Sequence, residues 1–154
     1  MHILFVGKCC PTNTINNIIQ KTGKNPGIQI VKFSRLILEG FVHNNSKVDV
    51  LSNIVTEQTM FSRQHEECFE EIHYTYLPTV QAPIVCQVFY ILSSFIYTIK
   101  WALKTKGDKI ILCDIFANSS SKGSVAAAKL LNIPKCMILT DMIAPPVTIA
   151  KDTS

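Results

Sequence analysis

Apolar residues in this chain come in short runs punctuated by turn residues, and the early runs are too short for helices. Ile3–Val6, with His2 before it and Gly7 after it, predicts a buried strand closed by a tight loop. Pro11-Thr12-Asn13 then supplies turn and N-cap chemistry, and Ile15, Ile18 and Ile19 repeat at helical spacing. Asn25-Pro26-Gly27 reads as a turn, and the largely apolar Ile28–Phe33 as a second strand. Ser34 is placed to cap a helix whose apolar positions are Leu36, Ile37, Phe41 and Val42, and Val48–Leu51 predicts a third strand. The order β-α-β-α-β predicts an α/β domain with a mainly parallel sheet.

The middle of the chain is less regular. Glu70–Leu77 alternates partly through Ile72, Tyr74 and Tyr76, as an edge strand does, and Glu66, Glu67, Glu70 and Glu71 are expected to face solvent. Ile84–Leu103 is the most apolar stretch. One stripe at helical period holds Val85, Val88/Phe89, Leu92, Phe95/Ile96, Ile99 and Ala102/Leu103; a second holds Gln87, Tyr90, Ser94, Tyr97/Thr98 and Trp101. Two stripes, with Lys100 inside the stretch, predict a packed amphipathic helix with a wide buried face rather than a membrane span. Pro83 starts it and Gly107 follows it. Lys109–Asp114 then reads as a central parallel strand, Asn118–Ser124 as a polar loop, Val125–Leu131 as a short helix, and Lys135–Thr140 as the last strand before Asp141.

Composition narrows the class. The chain has 154 residues, 47% hydrophobic and 17% charged, with mean hydropathy +0.24, so one sizeable core in a single domain over 1–154 is expected. The net charge of +4 comes from scattered lysines and only two arginines, Arg35 and Arg63, which argues against a nucleic-acid partner. Lys100, Lys104, Lys106 and Lys109 read as a solvated helix end. Six cysteines without a C-x-x-C, four of them (Cys68, Cys86, Cys113, Cys136) in apolar surroundings, point to free thiols in a reducing, cytoplasmic compartment. Met1–Gly7 lacks the basic flank and the length of a signal peptide.

Ligands in open parallel sheets bind at the carboxyl ends of strands. Three such ends are polar: Gly7-Lys8-Cys9-Cys10-Pro11-Thr12-Asn13; Asp114 with Asn118-Ser119-Ser120-Ser121-Lys122; and Thr140-Asp141. The serine-rich segment opens a helix and offers an anion site, or simply a cap. Asp114 and Asp141 are candidates for sugar-hydroxyl binding or proton transfer. No phosphate-loop or dinucleotide glycine motif occurs, no nucleophile elbow, and the four histidines have no metal spacing. Cys9-Cys10 precedes a helix, but no arginine follows to complete a phosphatase-type loop.

Taken together, Met1–Gly7 with its Pro-containing loop, Val48–Asn53, Asp108–Asp114, Lys122–Pro134 and Ile138–Asp141 resemble the opening half of family 4 glycosyltransferases. The likeness is a strand ending in Asp, a small-residue helix, Ile-Pro, and another strand ending in Asp. The resemblance implies a doubly wound Rossmann-like domain, one half of a GT-B architecture. A nucleotide-sugar donor would be held mainly by a second, C-terminal domain that this chain lacks. It also implies a retaining hexosyl transfer to a glycan or lipid-linked acceptor in polysaccharide synthesis, with no cofactor besides the donor substrate. Asp114 and Asp141 would then be catalytic, and Gly7, Lys8, Pro11, Thr12, Asn13, Asn118, Ser119, Ser120, Ser121, Lys122 and Thr140 would bind substrate.

Two departures accompany the resemblance. Thr140 stands where the family often has histidine, and the paired-glutamate donor motif is absent, so this half is expected to be inactive alone. Peripheral contact with the inner face of a membrane is expected through the apolar helix or through Lys100 and Lys104. Two other readings are a flavodoxin-like binding domain, on Thr12–Asn16, and a non-catalytic truncated interaction module.

Overall fold

The computed structural model describes residues 1–23, 25, 27–56, 61–115 and 118–139. A six-stranded, mostly parallel sheet is built around β1 (His2–Gly7), which pairs in parallel with β2 (Lys47–Ser52) on one side and β7 (Lys109–Asp114) on the other. Beyond β2 lies β5 (Ile72–Tyr76), parallel, and then β4 (His65–Phe69), antiparallel, as the edge. Beyond β7 lies β8 (Lys135–Ile138), parallel, at the other edge. A separate two-stranded ladder joins β3 (Phe61–Ser62) to β6 (Thr79–Val80).

Alternation along β1 explains the layering. Ile3 and Phe5 point to a core shared with α1 (Thr12–Thr22) and α2 (Ile28–His43), while Leu4 and Val6 point to a core under α3 (Pro83–Lys104) and α4 (Asn118–Leu130). A strand buried on both faces reads as a continuous apolar run, which is why β1 and β7 stand out in the sequence. Each of the four fully buried β1 side chains contributes about 1.5–3 kcal/mol of transfer free energy.

Besides α3, three segments depart from the sequence expectation. Ile28–Phe33 is not a strand but the first turns of α2, so the order begins β-α-α-β. The Asn25 side-chain oxygen accepts from the N–H groups of Gly27 and Ile28, and Val31, Ser34 and Leu38 then form one buried face at helical spacing. That packing overrides the β preference of Ile and Val, and Ser34 lies buried within the helix instead of capping it. Residues 72–76 form an interior strand, because His65–Phe69 folds back to become the edge. Helix α4 begins at Asn118, so the expected serine loop is its first two turns.

Helix α3 carries the largest correction. Its expected buried face is the one turned outward: Val88 is 50% exposed, Leu92 55%, Ile96 50% and Leu103 74%. The buried residues are Ser94, Thr98, Trp101 and Ala102. Polar partners hold this face down. Trp101 Nε1 donates to Asp49 Oδ2 at 2.9 Å, Tyr97 and Thr75 share a 3.0 Å hydroxyl bond, and Tyr90 and Thr79 one of 3.2 Å. Thr98 donates to Ser124 on α4 at 2.9 Å. Where the two helices cross, a Cβ built on Gly123 would lie 2.1 Å from the Ile91 carbonyl oxygen, so only glycine permits that approach. Lys109 is not a solvated lysine either: its ammonium donates to the Ala102 and Thr105 carbonyls and closes the end of α3.

Candidate functional site

The sequence order of the parallel strands across the sheet is third, second, first, fourth, fifth, so the connections diverge between β1 and β7. Such a reversal opens a crevice at the strands' carboxyl ends. Here that place is occupied by Gly7 and Asp114. A Cβ on Gly7 would lie 2.6 Å from Asp114 Cβ and 2.8 Å from the Phe5 ring, so the missing side chain is what lets the two strand ends meet.

The candidate residues divide by location. Asp114 is only 2% exposed, and Ser121 Oγ donates to its backbone carbonyl at 3.0 Å. Ser120 is buried, Ser119 half-buried, and Lys122 exposed on the outer side of α4. On the first loop Gly7 and Pro11 are buried, Lys8 is half-buried beside them, and Thr12 and Asn13 are exposed at the start of α1. Gly7, Lys8, Asp114 and the first turns of α1 and α4 therefore share one rim. Ser120 and Ser121 turn into the packing, and Lys122 points away from the sheet. The Asn118 side chain, Thr140 and Asp141 lie outside the described residues.

Burial governs the thiols beside this rim. Cys9 and Cys10 are both buried, and desolvation pushes both pKa values up, that of Cys10 to about 12 with the Glu67 carboxylate adding to the shift. Burial likewise raises Cys113 to about 11. These are protonated thiols at neutral pH and poor nucleophiles. Cys68 and Cys136, expected in apolar surroundings, are exposed on the two edge strands.

Glu67 is the residue the sequence pattern misplaces. It is half-buried, its carboxylate accepting from the Tyr76 hydroxyl and, at 3.1 and 3.2 Å, from Thr14 Oγ1. Burial and this hydrogen bond both push the Tyr76 pKa up. Beside it a polar groove of about 500 Å³ is lined by Asn17, Lys21, Arg63, His65 and Glu67, continuing the carboxyl-end rim away from Asp114. The His65 ring stacks on Tyr76 at 4.4 Å between centroids. A wider groove of about 1070 Å³, lined by His2, Asp49, Trp101 and Lys104 among others, opens at the amino ends instead. Among the described residues no cluster of three or more His, Cys, Asp or Glu has a metal-holding arrangement. Compared with known proteins, the chain matches no family model, no curated protein and no solved structure.

Proposed function

We propose that this chain is the acceptor-side, Rossmann-like half of a two-lobed glycosyltransferase. The strand order 3-2-1-4-5 carries the reading: it follows the doubly wound order of Rossmann-type nucleotide-binding sheets, whereas a flavodoxin-like domain runs 2-1-3-4-5. The rim at Gly7 and Asp114 supports it, with sites for a polyhydroxylated acceptor from Lys8, Thr12, Asn13 and Ser119 on one side to Arg63 and Glu67 on the other. A second lobe would bring the nucleotide-sugar. In the transfer, the acceptor hydroxyl oxygen bonds to the anomeric carbon as the bond from that carbon to the donor phosphate breaks. The hydroxyl proton passes to a carboxylate or to the departing phosphate. Asp114 is the carboxylate assigned to this wall, and Asp141, which follows the last strand in sequence, is the second candidate.

The test is an amide NMR titration of the isotope-labelled chain with a panel of short-chain alkyl hexosides. Shifts confined to Gly7, Lys8, Thr12–Thr14, Ser119 and Glu67 are expected, and Thr12→Ala/Asn13→Ala should weaken them several-fold, as loss of one or two hydrogen bonds does. No shift with any hexoside, or shifts gathered at the amino-end groove, overturns the reading.

A further inference from the structure

The outward face of α3 has no occupant within the described residues. Viewed down the helix, Val85, Val88, Phe89, Leu92, Ile96 and Leu103 form one stripe, and the face opposite holds Ser94, Thr98 and Trp101 against α4 and the sheet. The stripe runs along a 22-residue helix about 33 Å long and contains no charged residue until Lys100 at its border. It differs from the exposed apolar residues of α2, where Phe33 and Leu36 are interleaved with Gln29 and Lys32.

The charges carried by the two helices on this side are of one sign. Neither α3 nor α4 contains an Asp or Glu, whereas Lys100, Lys104, Lys122 and Lys129 are all exposed. The two helices lie side by side on the same face of the sheet, so their outer sides form one apolar and cationic layer. Glu66 and Glu71 line the amino-end groove together with Lys100 and Lys104, and the stripe itself carries no carboxylate. An apolar stripe bordered by lysines is complementary to an anionic bilayer surface, apolar side chains entering the acyl boundary and ammonium groups meeting the phosphates.

We propose that this layer is a docking surface for an anionic membrane, with α3 lying in the plane of the interface. The helix is long and apolar enough to cross a bilayer, but crossing would break the hydrogen bonds of Tyr90, Tyr97, Thr98 and Trp101 and the close seam at Gly123. Lying flat keeps them all. The inference stands apart from the transferase reading, because it needs no sugar and no second lobe.

The experiment is co-sedimentation of the full chain with vesicles of phosphatidylcholine alone and with about a third phosphatidylglycerol. Binding to the anionic vesicles, weakened by salt, is expected. Leu92→Glu/Ile96→Glu, both on the exposed stripe, should lower the partition coefficient on the order of a hundredfold with an unchanged circular dichroism spectrum. Lys100→Glu/Lys104→Glu should remove the preference for anionic lipid. Phe89→Trp adds an independent reading, since the emission of the added indole should shift to the blue and be quenched by brominated acyl chains. The proposal is overturned if the wild-type chain binds neither vesicle, if Leu92→Glu/Ile96→Glu binds as well as the wild type, or if vesicles leave the emission of the Phe89→Trp variant unmoved. A solution dimer that Leu92→Glu/Ile96→Glu converts to monomer, with no vesicle binding, overturns it in favour of a second copy.

Discussion

Adjacent cysteines before a helix invite a reactive-thiol reading, and their surroundings decide the matter. Cys9 and Cys10 are buried where the thiolate cannot be hydrated, so the proton stays on. Modification with a maleimide at neutral pH should label Cys68 and Cys136 first, with Cys9, Cys10 and Cys113 reacting only on unfolding; rapid labelling of Cys9 or Cys10 in the native protein would contradict this. The same shifts couple to stability. A thiol whose folded pKa is raised contributes stability in full below its ordinary value of 9.0, and that contribution is lost as pH climbs toward about 11 for Cys113 and about 12 for Cys10. The urea midpoint should therefore fall between pH 8 and pH 11, about where the unfolded thiols ionise. A Cys10→Ala/Cys113→Ala variant should show a shallower fall.

At the scale of elements, the seam between α3 and α4 is the most demanding piece of packing. Gly123→Ala would place a methyl 2.1 Å from a backbone oxygen that a rotamer change cannot move, and it should cost at least about 1–3 kcal/mol in urea unfolding. A loss well below that range would show that the helices can part without penalty. This seam also marks what a sequence can disclose. Strands β1, β2 and β7 are legible because burial on both faces writes an apolar run into the chain, and Gly7 and Asp114 are legible because they terminate such runs. The orientation of α3 is not. Hydropathy separates the two stripes except at Gln87, which is exposed, and Ala102, which is buried, but cannot say that Tyr90, Tyr97 and Trp101 have partners at Thr79, Thr75 and Asp49, which only the folded sheet supplies. Glu67 is hidden for the same reason, since its partner Thr14 lies 53 residues away. Helix α2 is missed because six residues rich in Ile, Val and Phe fit either period, and the arbiter is the buried face that continues through Leu38.

At the scale of the molecule, the three layers have unequal chemistry. The α1/α2 side is an ordinary mixed surface, with an Arg35–Glu39 ion pair at 3.0 Å along α2. The outer sides of α3 and α4 are apolar and cationic, and the β4–β5 edge brings Glu66 and Glu71 to the groove beside Lys100 and Lys104. The carboxyl-end rim runs perpendicular to these faces, so a molecule resting on its α3/α4 side would keep that rim open at the side, level with the bilayer surface where lipid-linked groups stand. The proposed acceptor site and the proposed docking layer are thus geometrically compatible, though each is tested by a different readout.

The central position of β1 has a consequence in time. Its first residue pairs with Lys47 on one side and Lys109 on the other, and its own interior side chains need helices from both halves of the chain. During synthesis the most apolar strand emerges first and must wait for β7, with one ladder edge open and Leu4 and Val6 uncovered. The chain therefore carries this strand with one edge unpaired until Lys109–Asp114 has been made, and a chaperone that shields β1 would act at the step where it is most exposed.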